Sequence, residues 1–408
     1  SFLGADGALL ANPVCYRDAR TRGVLAAAEQ IVPRDQIFAS TGLQFMEINS
    51  LYQFLALERA RSSVLAAADR MLMIPDLVHW LLTGRASNER TNASTTQCYD
   101  PRRGDWAFEM LERFGLARRI FGPLTDPGTD LGPVRAEVAA ETGLHAARVV
   151  VPGTHDTASA VAAVPAEEPP SSRPDWCYVS LGTWALVGAE LDRPLVTEAC
   201  RARNFTNEGG IGGTTRLLKN VCGLWLVQQC RAAWQRQGKD WTWDQLTSLA
   251  VESPPLATVL DPDDPSLVAP ADMPEAIRAL ARRSGEAMPE STGAVIRAAL
   301  ESVAAGCRKT IRRLDTLVGR RIGRVHLVGG GVQNRLLCQL IADATDRPVI
   351  AGPVEATAIG NLLVQLAPRG GAGPDVRWLR QVVRDSFEPM EYLPRAASAW
   401  NDRLSNRE

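Results

Sequence analysis

Hydrophobic and polar positions follow two different periods along the chain, and the changes of period mark the predicted elements. Between residues 49 and 74 the apolar side chains recur at helical spacing, with Asn49 or Ser50 as the predicted N-cap. A second, shorter helix is predicted for residues 75–84. The polar, turn-rich segment 88–106 is predicted to be a loop. The first part of the chain is therefore predicted to be mostly helical.

Strands and helices alternate in the remainder of the chain. The predicted elements are, in order, a strand at 147–153, a helix at 157–165, a hairpin at 177–191, helices at 216–237 and 292–318, a strand at 324–330, a helix from Asn334, a strand at 347–353 and a helix from Glu355. The hairpin turn is predicted at Gly182-Thr183, where the β-rich run is interrupted. This alternation indicates the α/β class.

The segment 165–176 is rich in proline, serine and charge, which is typical of a linker. We therefore predict a first domain at 1–164 and a second domain at 177–408. A length of 408 residues suits two or three domains. Hydrophobic residues make up 45% and charged residues 22%, as in ordinary soluble globular proteins.

Charge and cysteine content narrow the classes of partner. The net charge of −1 gives no overall field that would favour nucleic acid or an anionic membrane. The eight cysteines form no CxxC pair and match no zinc spacing, so we interpret them as mostly buried thiols of a reducing compartment, and expect a cytoplasmic location. No apolar run approaches the roughly 20 residues that a membrane span needs. Small molecules are therefore the expected ligands, and no oligomeric state is predicted.

Two glycine turns could hold a phosphate. Gly329-Gly330-Gly331 lies between a predicted strand and a helix, where glycine lets a ligand approach the backbone and the helix N-terminus offers free N–H groups. The turn at Thr183 could present N–H groups and a hydroxyl in the same way. Either one could equally be an ordinary tight turn, with Trp184 packed beside the second. A dinucleotide-binding fingerprint is incomplete because the final glycine is missing.

The polar cluster Thr154-His155-Asp156-Thr157 follows a buried strand and raises several chemical alternatives. The four histidines are scattered, and two of them, His79 and His326, lie in apolar segments that favour core positions. A histidine-rich metal cluster is therefore disfavoured. No GxSxG elbow supports a serine hydrolase. The remaining interpretation is that Asp156 is a general base that removes a proton from a hydroxyl, and that His155 forms a hydrogen bond to a polyol.

A plainer interpretation is that Asp156 or Thr157 only caps the following helix. The two roles are compatible with each other. Taken together, one carboxylate at a strand end and two glycine turns beyond a linker favour two α/β domains that face each other across a cleft. Such an arrangement suits a nucleotide-dependent kinase.

At this point the sequence resembles the FGGY carbohydrate kinases of the actin/Hsp70-like superfamily, and within them most closely the rhamnulokinases. The blocks that carry the resemblance are "NPVCYRDART", "TGLQFMEINSLYQ", "TNASTTQ", "GTHDTASAVAAVP", "LGTWALVG", "NFTNEGG", "LLKNVCGLWLVQQ", "HLVGGGVQN" and "VIAGPVEATAIGN". The resemblance implies an actin/Hsp70-like (ribonuclease H-like) two-domain sugar kinase fold, with the sugar bound on the first-domain side and the nucleotide on the second-domain side.

The resemblance also implies roles for individual residues. Asp156 would take the proton from the attacking sugar hydroxyl, and His155, Thr157 and Asn220 would bind the ketose. The nucleotide would lie against Thr183, Gln228 and Gly330.

The implied reaction is transfer of the γ-phosphoryl group of MgATP to O1 of L-rhamnulose, in L-rhamnose catabolism. ATP and Mg²⁺ are the expected cofactors, and no metal ligand from the protein is assigned.

Members of the family begin with a phosphate-binding block of the type "DLGASSGR", which this sequence lacks. We therefore expect a first domain that is incomplete at its N-terminus and a chain that binds ATP weakly or transfers phosphoryl poorly. Three alternatives to a rhamnulose kinase stay open. They are a kinase for another ketose such as L-fuculose or L-xylulose, a non-catalytic sugar-binding relative, and, disfavoured by its incomplete fingerprint, a dinucleotide-dependent oxidoreductase.

Overall fold

The computed structural model describes residues 1–16, 18–367 and 374–405; Arg17, within the first block quoted above, lies outside the described residues. The strands are β1 Phe2–Leu3, β2 Arg70–Met71, β3 Tyr99–Asp100, β4 Asp105–Trp106, β5 Asp130–Pro133, β6 Arg148–Val150, β7 Trp176–Leu181, β8 Trp184–Leu191, β9 Thr206–Gly209, β10 Thr215–Cys222, β11 Arg324–Val328, β12 Val349–Ala351 and β13 Met390–Tyr392. The helices are α1 Val24–Glu29, α2 Arg34–Thr41, α3 Ser50–Arg59, α4 Ser63–Ala67, α5 Ile74–Thr83, α6 Arg90–Ala93, α7 Phe108–Arg113, α8 Ala136–Thr142, α9 Asp156–Ala162, α10 Glu198–Ala202, α11 Trp225–Arg236, α12 Trp243–Val251, α13 Met273–Arg283, α14 Thr292–Val318, α15 Arg335–Thr345, α16 Ala356–Leu366, α17 Val376–Ser386 and α18 Ala397–Leu404.

A mixed seven-stranded sheet organises the second half of the chain, in the order β13-β12-β11-β7-β8-β10-β9. Strands β7, β11 and β12 run parallel to one another, whereas β8, β9, β10 and β13 join their neighbours antiparallel. Apolar side chains of β7, β8 and β10 pack on one face against α11 to α15. The opposite face packs against α9, α16 and α17. The sheet is therefore buried between two helical layers, as the predicted α/β class requires.

Strand β10 presents different chemistry to the two helical layers because successive side chains point to opposite faces. Leu217 and Val221 belong to the core with α11 and α14. Arg216, Leu218 and Asn220 occupy the alternate positions, on the face that meets α9 and the first part of the chain. Two polar side chains are thereby aimed from the sheet toward residues 1–164.

Residues before α9 form a helical region with a core of its own. Apolar side chains from α1, α3 and α7 form this core together with residues of the short strands and connecting segments. The strands here are short and pair in three two-stranded sheets, β1 with β2, β3 with β4, and β5 with β6. Backbone hydrogen bonds join this region to β9, since Asn207 N donates to Gly42 O at 2.9 Å. The two halves of the chain are in direct contact at the edge of the large sheet.

The predicted helix across residues 49–74 is wrong as a continuous element. It ends at Arg59, and Arg61 adopts a left-handed conformation with φ of 48°. A second, short helix then begins after Ser62, whose side chain accepts a hydrogen bond from Leu65 N. A non-glycine residue at positive φ cannot continue a right-handed helix, so the apolar periodicity was right but the continuity was not.

Two further predictions need correction. Residues 216–222 of the predicted helix 216–237 belong to strand β10, and only the segment from Trp225 is helical, because β10 hydrogen-bonds to both β8 and β9. The predicted loop 88–106 contains α6, β3 and β4 and is largely buried. Local composition misled the interpretation in both places: distant strands determine the structure of β10, whereas β3 and β4 pair with each other inside a segment that is polar but buried.

The other long elements agree with their predictions. Thr292 to Val318 form one helix, and its predicted apolar face, made by Leu300, Val303, Cys307, Ile311 and Leu314, is fully buried. The hairpin turn lies at Gly182-Thr183, between β7 and β8. His79 and His326 are both buried, as expected for core residues.

All eight cysteines lie in the described part of the chain and are free thiols. Seven are buried and Cys15 is exposed, which agrees with the predicted mostly buried thiols. Burial raises the pKa of Cys177 and of Cys307 to about 12. Among the described helices, none combines the length and the apolar character that a membrane crossing requires.

Candidate active site

The cluster Thr154-His155-Asp156-Thr157 occupies the turn from β6 into α9. The chain passes close to the large sheet here, because a Cβ on Gly153 would lie 2.5 Å from Ile211 Cδ1. A larger residue at the start of the turn would require the Ile211 side chain to shift. Helix α9 begins at Asp156, and its N-cap is His155, which makes no side-chain capping bond. Neither Asp156 nor Thr157 is therefore the N-cap residue, although Asp156 accepts a hydrogen bond from the first-turn N–H of Thr157.

Asp156 combines a fixed oxygen with a free one. Its Oδ1 accepts hydrogen bonds from Thr157 N at 2.6 Å and from Thr157 Oγ1 at 3.1 Å. The side chain is nevertheless 78% exposed. Thr157 is buried, so its hydroxyl is directed to the carboxylate. One carboxylate oxygen is thus held in place while the other is open to a ligand.

Glu89, which the sequence analysis did not single out, anchors this turn to the first part of the chain. Its carboxylate caps α6, accepting from Thr91 N at 2.7 Å, Thr91 Oγ1 at 2.5 Å and Asn92 N at 3.1 Å. The same carboxylate accepts from Thr154 N at 3.0 Å and Thr154 Oγ1 at 2.7 Å. Thr91 Oγ1 in turn accepts from His155 N at 3.2 Å. Glu89 thereby joins α6 to the residues immediately before Asp156.

A second buried carboxyl supports Glu89 from behind. Asp76 Oδ1 accepts from Glu89 N at 3.0 Å and from Ser87 Oγ at 2.6 Å, and Ser87 Oγ also lies 3.2 Å from His79 Nδ1. Desolvation raises the pKa of Asp76 to about 7. Desolvation also raises the pKa of Glu89, although the hydroxyl and N–H donors around it oppose that effect. Two carboxyl groups therefore lie in the interior directly behind the turn.

His155 lies against a buried ion pair from the large sheet. Arg216 is fully buried on β10, and its Nη2 is 3.1 Å from Glu208 Oε2 on β9. The same Nη2 is 3.2 Å from His155 Nδ1. Burial and then the positive charge of Arg216 lower the pKa of His155. Sequence reasoning missed Arg216 because its segment was interpreted as a helix.

Asn220 lies on the same face of β10 as Arg216, four residues further on. Its Nδ2 donates to Gln44 Oε1 at 3.2 Å, so it also contacts the first part of the chain. Two residues later Cys222 pairs with Trp184 at the start of β8, which places Asn220 roughly 7 Å along the strand from the Thr183 turn. Strand β10 therefore connects the predicted sugar-binding residues with the predicted nucleotide-binding ones.

The predicted nucleotide-binding residues lie together on the second half of the chain. Thr183 Oγ1 donates to Gln228 Oε1 on α11 at 3.2 Å. Backbone bonds hold the two elements together, since Leu224 N donates to Gly182 O and Trp225 N to Thr183 O. Trp184 is 43% exposed, so the packed tryptophan of the ordinary-turn alternative is not observed.

The triple glycine packs against the same hairpin. Gly329 has φ of 91°, and a Cβ on Gly331 would lie 2.5 Å from Leu181 Cγ. Around Gly330 a Cβ would meet nothing within 4 Å. Two of the three glycines are thus required by close packing, and the middle one borders open space next to the Thr183 turn.

In the described part of the chain, no group of three or more His, Cys, Asp or Glu side chains is arranged to hold a metal ion. The site therefore offers one exposed carboxylate, one partly exposed imidazole and a glycine-lined edge. A carboxylate that can accept a proton can deprotonate a hydroxyl and direct it toward a phosphoryl group.

Comparison with known proteins defines the class to which this fold and site belong. Residues 2–163 match the N-terminal domain, and residues 177–367 the C-terminal domain, of the FGGY family of carbohydrate kinases. The chain therefore belongs to the FGGY family of carbohydrate kinases and has the two-domain sugar kinase fold.

Individual relatives are more specific. The chain is 41% identical to a rhamnulokinase of Bacteroides thetaiotaomicron over 400 residues, which span 98% of this chain and 80% of that relative. It is 39% identical to a rhamnulokinase of Pectobacterium carotovorum over 397 residues, 97% of this chain and 77% of the relative. A crystal structure of gluconate kinase from Lactobacillus acidophilus superposes with a TM-score of 0.77, at 16% identity, over 99% of this chain and 80% of that one.

Proposed function

We propose that the protein transfers the γ-phosphoryl group of MgATP to O1 of L-rhamnulose, with Asp156 as the general base, in the catabolism of L-rhamnose. The observation that carries the proposal is the exposed Asp156 carboxylate, held by one oxygen at the start of α9. The two rhamnulokinases that are about 40% identical over nearly the whole chain support the choice of sugar.

The chemistry proposed for Asp156 follows from its geometry. Thr157 holds Oδ1 through two hydrogen bonds, which leaves Oδ2 to accept the proton of the attacking hydroxyl. Removal of that proton raises the nucleophilicity of the sugar oxygen as the bond to phosphorus forms. The leaving group is ADP, and the proton remains on Asp156 until it is released to water. Thr157 both orients the base and, in the proposal, borders the ketose.

His155 and Asn220 are proposed to hold the ketose. His155 is 23% exposed and lies directly before the base. Asn220 carries an amide that can donate to and accept from sugar hydroxyls, and it already bridges to Gln44 of the first half. Contacts from both halves of the chain would surround the sugar and exclude water from the reacting hydroxyl.

MgATP is proposed to bind at the edge formed by Thr183, Gln228 and Gly330. Free N–H groups at the Gly330 turn and the Thr183 hydroxyl are suited to phosphate oxygens. The metal would arrive as part of the substrate, because the phosphates of ATP coordinate it. Mg²⁺ would offset the charge that develops on the transferred group.

The proposal also assigns the two halves as domains, 1–164 for the sugar side and 177–408 for the nucleotide side, joined by residues 165–176. Bonds such as Asn207 N to Gly42 O, and Asn220 Nδ2 to Gln44 Oε1, lie between these two units. Closure of such a cleft around both substrates would limit wasteful hydrolysis of ATP.

The base is tested by steady-state release of ADP with L-rhamnulose and MgATP. We expect Asp156→Asn to lower kcat by about 100- to 10,000-fold, the usual contribution of a positioned general base. Asp244→Asn is a matched control, since Asp244 is also an exposed aspartate in the first turn of a helix. Near-normal turnover in Asp156→Asn would remove Asp156 from the mechanism.

The sugar is tested with a panel of L-rhamnulose, L-fuculose, L-xylulose and D-xylulose. L-Rhamnulose should give the highest kcat/KM. A higher value for another ketose would replace the substrate but keep the kinase. Absence of sugar-stimulated ADP release with every member of the panel, despite measurable sugar binding, would favour a non-catalytic sugar-binding relative.

A further inference from the structure

The environment of His155 determines which of its two ring nitrogens carries the proton. Arg216 Nη2 lies 3.2 Å from His155 Nδ1, a hydrogen-bonding distance. A guanidinium has only N–H donors and stays charged at any accessible pH. The nitrogen that faces it must therefore be the acceptor, without a proton. In the neutral ring that leaves the proton on Nε2.

Other groups around Nδ1 are too far away to reverse this assignment. Glu208 Oε2 on β9 and Asp156 Oδ1 on α9 are each 3.9 Å from Nδ1, beyond hydrogen-bond distance. The charge of Arg216 is already balanced by Glu208 at 3.1 Å. A protonated His155 would bring a second positive charge within 3.2 Å of the Arg216 guanidinium, which agrees with the lowered pKa of the ring.

The second ring nitrogen has a different environment. In the part of the chain that the structure describes, Nε2 makes no hydrogen bond and is not among the buried polar atoms that lack one. The ring is partly exposed beside the base. We propose that Arg216 holds His155 as the neutral tautomer with its proton on Nε2, so that the ring offers the ketose one fixed N–H donor. The ketose as recipient rests on the proposed function, whereas the tautomer does not.

The arrangement has a consequence for the base. A protonated His155 at 3.9 Å would pair with Asp156 and weaken its affinity for the substrate proton. By excluding that form, Arg216 keeps Asp156 available as a base at mildly acidic pH. Arg216 is thus a positioning residue, which acts through His155.

The wild-type protein provides the first test, by ¹⁵N NMR of ring-labelled histidine in the absence of substrate. The chain contains only four histidines, and loss of one signal in His155→Asn assigns the resonance. We expect an unprotonated Nδ1 and a protonated Nε2 that do not titrate between pH 8 and pH 6. A proton on Nδ1, or titration at the ordinary value near 6.5, would overturn the proposal.

Variants supply the second test. In Arg216→Met, the pKa of His155 should rise above that of the wild-type protein because the neighbouring positive charge is gone, and kcat/KM for L-rhamnulose relative to wild type should therefore fall as the pH is lowered from 8 to 5.5. Arg380→Met is the matched control, because Arg380 on α17 forms another buried ion pair, with Glu190 on β8 of the same sheet. The kcat/KM of Arg380→Met for L-rhamnulose, divided by that of wild type, should stay constant with pH.

The outcomes separate the two proposals. A constant ratio in Arg216→Met would overturn the positioning role of Arg216. If Arg216→Met does not fold, the wild-type spectrum alone decides the tautomer. The expected spectrum in a protein that phosphorylates no L-rhamnulose would refute the proposed function and leave the tautomer standing.

Discussion

Replacement of Glu89 by glutamine tests whether the turn that carries the base is held from the first half of the chain. The carboxylate accepts five hydrogen bonds, three from Thr91 and Asn92 and two from Thr154. All five partners are donors. Glu89→Gln keeps the size of the side chain but replaces one oxygen by an NH₂ group and removes the charge.

The loss of local stability in Glu89→Gln is the sum of the effects on the individual hydrogen bonds. If the amide oxygen takes the place of Oε2, which accepts four of the bonds, the NH₂ group faces Thr91 N, a donor 2.7 Å away. A buried donor left without an acceptor costs about 1–3 kcal/mol. The four remaining bonds lose the strengthening that the carboxylate charge provides. Together these effects amount to about 2–4 kcal/mol of local stability.

Hydrogen exchange at the Thr154 amide measures this directly, because that N–H donates to Glu89 Oε2 at 3.0 Å. Exchange should accelerate on the order of 30- to 700-fold, since 1.4 kcal/mol corresponds to a factor of ten. We expect kcat to fall as well, because the same bonds position the residues before Asp156.

Glu109→Gln is the control for this experiment. Glu109 is an exposed glutamate whose surface pair with Arg103 contributes at most about 1 kcal/mol. It should leave the Thr154 amide unchanged. An unchanged exchange rate and unchanged kcat in Glu89→Gln would show that the turn holds its geometry without this carboxylate.

Three further changes separate packing from ligand contact. In Gly330→Ala the added Cβ meets nothing within 4 Å, so the thermal midpoint should be unchanged. The KM for ATP should rise several-fold, because the Cβ would occupy space proposed for the nucleotide. An unchanged KM would place the nucleotide elsewhere. In Gly360→Ala the added Cβ would lie 1.8 Å from Ser159 O, so α9 and α16 must separate by about 1 Å. Calorimetry should therefore show that the free energy of unfolding falls by about 1–3 kcal/mol. A thermal midpoint equal to that of wild type would contradict this close contact. Burial raises the pKa of Asp76 to about 7, so this carboxyl makes the folded state less stable as pH rises from about 4 to about 7, by about 4 kcal/mol. The thermal midpoint of Asp76→Asn should therefore rise relative to that of wild type between pH 5 and pH 8. Midpoints that change with pH in parallel would refute this.

The sequence predicted those parts of the fold in which local pattern and tertiary structure agree. The long helix at 292–318 and the hairpin at Gly182-Thr183 are examples, because each carries its own periodicity or turn chemistry. Segment 216–222 was mistaken for helix because its apolar and polar residues fit both periods. Hydrogen bonds to β8 and β9, which are distant in sequence, decide its structure.

The candidate site divides in the same way. Asp156, His155 and Thr157 were found because they are contiguous and stand out against an apolar strand. Glu89 and Arg216 were missed because their function depends on partners 65 and 61 residues away along the chain. Glu89 is the N-cap of α6, but glutamate is not among the residue types preferred at that position, so the sequence carried no clear capping signal there. No local pattern marks an arginine that approaches a histidine only after the sheet has formed.

The distribution of thiols allows one cysteine to be labelled selectively. Of the eight cysteines, all within the described residues, Cys15 alone is exposed. Thiol-reactive dyes attack the deprotonated, accessible sulfur, so the seven buried groups are protected by both burial and chemistry. The unmodified chain should therefore accept a single fluorophore, at Cys15. Fluorescence from that one label could report substrate-dependent movement of the first half without engineering any cysteine away.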